Sequence, residues 1–152
     1  MPTNITCDTT VIIKGFVPPK RRKHDEIYQE QLRLHNRAKE ILRKIELGEY
    51  KLCIPLIAFI ETACVISRLT NDEESVKLAL SFLWQYAHAY PDMILFDKAI
   101  NIGIKTKASG FDVLFLACAE FTNSTLITDD KKQFEKAKKY GLKAEFLRDK
   151  NF

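Results

Sequence analysis

Short apolar runs alternate with longer amphipathic segments along the whole chain, and this restricts the fold more than any single residue does. Runs at 5–8, 51–54, 93–96, 125–128 and 143–146 read as strands; the stretches 28–47, 55–69, 71–89, 97–107, 111–121 and 131–140 read as helices. Within 28–47, Leu34, Ala38, Ile41, Leu42 and Ile45 recur at helical spacing, and Gly48 supplies the stop. Pro55 suits a first helical turn, Asn71-Asp72 a cap, and Gly110 and Gly141 mark breaks. Strand–helix alternation of this kind argues for a parallel sheet with helices on both faces. A chain of 152 residues has room for one domain with a real core. The expectation is one α/β domain over residues 1–152 with a central five-stranded parallel sheet. The basic stretch 17–26 is the expected mobile loop.

With 46% apolar and 29% charged residues the chain is too hydrophobic for disorder. Its longest apolar stretches, 52–60 and 113–119, fall well short of the roughly 20 residues a spanning helix needs. The first residues have neither a basic nor an apolar segment of signal-peptide length, so no membrane association and a cytoplasmic location are expected. Cys7, Cys53, Cys64 and Cys118 all lie in apolar runs without a paired spacing, as expected of reduced core thiols. None of His24, His35 and His88 pairs with a cysteine at ligand spacing, which argues against zinc.

Four carboxylates stand where they are costly. Asp8 ends the first apolar run, Glu61 interrupts another, Asp112 stands before Val113-Leu114-Phe115-Leu116, and Asp130 closes Leu126-Ile127-Thr128-Asp129. Acids are seldom buried unless paired or bound to metal. In open parallel sheets ligands bind beyond the carboxyl ends of strands, where strand order reverses. Asp8 and Asp130 end the first and fourth strands, and Glu61 and Asp112 lie early enough in their helices to converge there. Gathered carboxylates repel one another, and a hard divalent ion, Mg²⁺ or Mn²⁺, is the natural remedy. Asp8, Asp112 and Asp130 fit helix N-caps equally well. Asp97, which follows a strand and opens a helix, is expected to be a cap only. Glu61 is not at a helix end, and its neighbours Ile57, Ile60, Cys64 and Val65 are apolar. Asp129 competes with Asp130. Thr9 and Thr128 are candidate partners for a carboxylate or phosphate.

The net charge of +4 is unevenly spread. Lys14, Lys20, Arg21, Arg22 and Lys23 cluster after Asp8, and Lys131, Lys132, Lys136, Lys138 and Lys139 follow Asp130. Cations beside acids suit an enzyme acting on a polyanion, although both groups are equally readable as solvated surface.

Cys7-Asp8-Thr9-Thr10-Val11-Ile12, Ile54-Pro55-Leu56 with Glu61, Gly110-Phe111-Asp112-Val113-Leu114 and Thr128-Asp129-Asp130 together resemble the PIN-domain ribonucleases, in particular the small VapC-like toxins of toxin–antitoxin pairs. The resemblance runs through the whole chain and carries the fourth acid onto Asp130, leaving Asp129 in the variable place. It departs at Thr10, where relatives often have asparagine or serine, and in a bulkier stretch over 17–47. It implies a PIN-like domain and metal-dependent cleavage of RNA, with Asp8, Glu61, Asp112 and Asp130 around Mg²⁺ or Mn²⁺. The resemblance also implies an antitoxin or other regulatory partner and a homodimer, while the charge distribution itself suggests Lys20, Arg21, Arg22 and Lys23 as the residues on the RNA backbone. Phe82, Trp84 and Tyr86 are candidates for a partner surface or for core. Two rivals stand beside this reading. An aspartyl phosphatase needs a second aspartate two residues after the first, where this chain has Thr10. A PIN-like module that binds RNA or protein without turnover is the other.

Overall fold

The computed structural model describes residues 1–108 and 110–149. Strands β1 (Thr3–Cys7), β2 (Tyr50–Pro55), β3 (Ala87–Tyr90), β4 (Thr125–Thr128) and β5 (Ala144–Phe146) form one sheet in the order β3-β2-β1-β4-β5, with every pair parallel. Among the described residues seven helices connect them: α1 (Thr9–Phe16), α2 (Glu26–Glu46), α3 (Ile57–Thr70), α4 (Glu73–Tyr86), α5 (Asp92–Thr106), α6 (Asp112–Thr122) and α7 (Lys131–Tyr140). The expected parallel five-stranded α/β domain is the observed one.

Strand residues alternate between two cores, as a period of two demands. Ile5, Cys7, Leu52, Ile54 and Ile127 pack with Val11 and Ile12 of α1, Leu34 and Ile41 of α2, Ala58 of α3 and Leu83 of α4. Cys53 and Leu126 belong to the second core, with Leu95 and Ile102 of α5, Leu116 of α6 and Ala137 of α7. Every residue of α6 from Leu114 to Ala119 is buried, while Asp112 at its start is exposed.

The expected third strand at 93–96 is in fact the first turn of α5. Met93 and Phe96 are 89% and 59% exposed, and burial recurs at Leu95, Ala99 and Ile102, which is helical spacing. The strand forms just before it, at Ala87–Tyr90, where a helix was expected. It pairs with β2 from Leu52↔Ala87 to Pro55↔Tyr90 at the edge of the sheet. None of its four residues is fully buried, so it carries little apolar signal. Asp97 therefore sits exposed inside α5 and caps nothing; Pro91 holds the N-cap position.

No helix was assigned over 9–16, although Asp8 was read as a possible helix cap, and the segment forms α1. Thr9, Thr10, Val11, Ile12 and Ile13 are β-branched and disfavour helix in isolation. Packing decides: Val11 and Ile12 are fully buried, and Gly15 lies so close to α2 that a Cβ there would stand 2.5 Å from Leu42 Cδ1. Cys7, Cys53 and Cys118 are buried as expected, but Cys64 is exposed on α3, because that helix buries only Ala58, Thr62 and Ile66. Among the described residues no helix is long and apolar enough to cross a membrane.

Candidate active site

The parallel ladder runs one bond past β1, from Asp8 N–H to the Ile127 carbonyl at 3.2 Å. Asp8 is thereby fixed at the carboxyl edge between β1 and β4, where strand order reverses. It takes the N-cap position of α1 without capping it. Its Oδ1 accepts from the Thr10 hydroxyl and its Oδ2 from the Thr128 hydroxyl. Each hydroxyl in turn accepts a backbone N–H from the β4–α7 turn, Asp129 N–H to Thr10 and Asp130 N–H to Thr128, both at 2.9 Å. Burial pushes Asp8 up to about 6; the two hydroxyls and the Val11 N–H pull the other way, and the charge of Asp130 adds to the rise.

Asp130 caps α7, its Oδ1 accepting from Lys132 N–H at 2.9 Å and Gln133 N–H at 3.3 Å. Capping does not remove it from the acidic group, since its charge acts on both Asp8 and Asp112. Asp112 is the first residue of α6 and not its cap. Its carbonyl accepts from the buried Gln133 side chain at 3.1 Å. Although the residue as a whole is exposed, partial desolvation of its carboxyl raises its pKa, Asp130 adds to that, and Lys136 opposes it. Glu61, half-buried on α3, is raised by burial and then by Asp112, with the Thr9 hydroxyl opposing. Its surroundings are less apolar than its sequence neighbours suggest, because Ile60 is 61% exposed. The four acids are thus linked in a chain of repulsions: Asp8 with Asp130, Asp130 with Asp112, Asp112 with Glu61.

Two observations bear on whether these residues suit a divalent cation. Glu61 Oε1 and Thr9 Oγ1 are buried and make no hydrogen bond of ordinary geometry, although the two side chains are near enough to influence each other. An orphaned buried carboxylate oxygen beside other acids calls for a cation or water. On the other side, among the described residues no three acidic, imidazole or thiol groups stand close enough together to hold one ion as placed. The donors fit a hard cation in type and charge: Asp8 is buried, Glu61 and Asp130 are half-buried and Asp112 is exposed.

Other expected site residues fall differently. Thr128 is fully buried and its hydroxyl is occupied by Asp8 and Asp130 N–H, so it positions Asp8 and is not placed to meet a phosphate. Asp129 is separated from Asp130 by its pairing: its carboxylate lies 3.0 Å from Lys14 Nζ and 2.8 Å from Arg148 Nε. Lys14 is thereby committed to Asp129. Lys20 donates to the Leu69 carbonyl at the end of α3, and Arg21 forms a two-pronged pair with Asp25. Arg22 and Lys23 make no such bond among the described residues and stay exposed. Thr10 stood out in the sequence only as a departure from the family pattern, not as a support of Asp8, and Gln133 and Arg148 were not singled out. Gln133 alone left a trace, as a polar residue four before the small Ala137 on one helix face.

Strand order and acid placement define a doubly wound α/β domain with an acidic site at its switch point. The profile of the PIN domain matches residues 5–140, and the chain belongs to the PIN domain family, whose members are generally nucleases using divalent metal ions. Solved structures with this fold include VapBC2 from Rickettsia felis bound to a DNA fragment from its promoter, at 15% identity and TM-score 0.62, covering 95% of this chain and 98% of that one. FitAB bound to an IR36 DNA fragment matches at 17% identity and TM-score 0.63, over 95% of this chain and 96% of that one. FitAcB from Neisseria gonorrhoeae matches at 15% identity and TM-score 0.57, over 94% of this chain and 97% of that one. No curated protein sequence is significantly similar to this chain.

Proposed function

We propose that this protein is a metal-dependent endoribonuclease that hydrolyses RNA phosphodiester bonds at Asp8, Glu61, Asp112 and Asp130 with Mg²⁺ or Mn²⁺. The observation that carries this reading is the chain of mutual repulsion among the four carboxylates, begun by a buried Asp8 shifted to about 6 at the switch point. A bound divalent ion supplies a water acidic enough to ionise near neutrality and offsets charge on the scissile phosphate. Asp8 contributes a carboxylate locked in one orientation by Thr10 and Thr128, the preorganisation that metal chemistry needs. Glu61, whose Oε1 is buried without a hydrogen-bond partner, would hold the ion or serve as base toward its water. Asp112 and Asp130 complete the negative charge, and Arg22 and Lys23 grip the RNA backbone.

A toxin–antitoxin role is part of the proposal, supported by the resemblance to VapC-like toxins and by neighbours solved as VapBC and FitAB complexes. So is a homodimer: Met93, Phe96, Ile100 and Ile104 give α5 an apolar outer face that water does not favour. The spread of the acids favours a second reading, a PIN-like module that binds RNA or protein without turnover.

The deciding experiment is cleavage of total RNA by the purified protein with Mn²⁺, Mg²⁺ or chelator, beside Asp8→Asn. Discrete metal-dependent products that the folded mutant does not make are expected. Equal cutting by both proteins would remove the nuclease reading, and no cutting by either would favour the binding module.

A further inference from the structure

We propose that Asp129 is a positioning residue, and that Arg148, beyond the segment matched by the PIN profile, latches it and so holds the acidic site in place. This rests on the metal-nuclease reading above. The Asp129 side chain is 2% exposed and faces two cations: Lys14 of α1 at 3.0 Å, and Arg148 through Nε at 2.8 Å and Nη2 at 3.1 Å. A buried carboxylate satisfied by a fork of this kind is fixed in direction as well as neutralised. Its backbone N–H goes to the Thr10 hydroxyl, which donates to Asp8, and the next N–H, that of Asp130, goes to Thr128, which also donates to Asp8. The carboxylate of Asp129 therefore clamps the turn from which both supports of Asp8 and the Asp130 side chain depend.

Arg148 is itself anchored. Leu147 N–H extends the sheet onto the Thr128 carbonyl at 2.8 Å, Arg37 donates to the Leu147 carbonyl at 2.8 Å, and Arg33 donates to the Arg148 carbonyl at 3.2 Å. Through this path α2 and the segment after β5 set the geometry of an edge they do not touch with their own acids.

Positioning and plain charge predict opposite signs for Arg148→Ala. If Asp129 acted only as nearby negative charge, Asp129→Asn would weaken Mn²⁺ binding, and Arg148→Ala, which uncovers that charge, would strengthen it. If it positions, both weaken binding by about tenfold or more, as loss of an outer support of a metal ligand typically does. The double mutant should then be no worse than the weaker single. Mn²⁺ affinity would be titrated calorimetrically on wild type, Asp129→Asn, Arg148→Ala, Arg148→Lys and the double mutant, with thermal melting in chelator for each. Arg148→Lys keeps the charge and loses the fork, so it should fall between wild type and alanine and carries the test if alanine unfolds. Opposite signs, additive losses, or lowered melting with unchanged Mn²⁺ affinity would each overturn the latch while leaving the nuclease reading intact. A wild type that takes up no Mn²⁺ would remove both.

Discussion

Asp8 titrates near 6 in the fold, where an unfolded aspartate titrates near 4, because burial outweighs the donors around it. The folded state holds that proton more tightly, so the stabilisation is fully present below about pH 4 and is lost as pH rises through about 6. Glu61 and Asp112 are shifted in the same direction and act with the same sign. Asp25, Glu30, Glu40 and Asp72, held low by neighbours on the surface, act with the opposite sign and only as pH falls below the ordinary carboxylate range. The metal-free protein is therefore expected to lose roughly 1 kcal/mol between pH 5.5 and 7.5 from Asp8, lowering melting by about 2–4 °C. Asp8→Asn should flatten that slope in calorimetric melts. An equal slope in the mutant would place the pH dependence elsewhere. That Asp8 is costly was legible in the sequence from its apolar flanks. That Thr10 and Thr128 hold it was not, because Thr128 comes from a strand 120 residues away along the chain.

At the scale of elements, α1 illustrates tertiary packing overriding local preference. Its five β-branched residues at the start favour extended backbone, yet the helix buries Val11, Ile12 and Ile13 and brings Gly15 against α2. Gly15→Ala meets two opposed effects: better helix propensity worth up to about 1 kcal/mol and overpacking against buried Leu42 costing about 1–3 kcal/mol. Net destabilisation of about 1 kcal/mol is expected in urea unfolding, and a more stable mutant would show that Leu42 can give way. The misplaced third strand has a related cause. Ala87–Tyr90 is an edge strand with no fully buried residue, whereas Met93, Ile94 and Phe96 of α5 are exposed apolars that imitate a strand. By contrast α2 and α7 read correctly, since each has one buried stripe, a side-chain N-cap and a glycine just past its end at positive φ, Gly48 and Gly141.

For the molecule as a whole, the two cores share one sheet, and Ile57 packs against both. Unfolding is expected to be a single transition, with Trp84 fluorescence and far-UV circular dichroism giving coincident urea curves; a biphasic trace would separate the two halves. RNA binding is expected to depend on salt through few cations, because Lys14 and Arg21 are spent on internal pairs and Lys20 on a helix end. Replacing Arg22 and Lys23 together by alanine should reduce the salt slope of binding by about 1–1.5, at roughly 0.7 per phosphate contact on a single strand. An unchanged slope would move the RNA path toward the lysines of α7. The sequence alone determined the class of fold, because strand–helix alternation is a local pattern that burial enforces, and it marked the four acids as candidates by their apolar flanks. Only the tertiary structure decided which acid of the Asp129-Asp130 pair stays unpaired with cations, which basic residues remain free, and what fixes Asp8. Those outcomes depend on partners brought in from Lys14, Thr128 and Arg148, and such distant contacts leave no periodic trace along the chain.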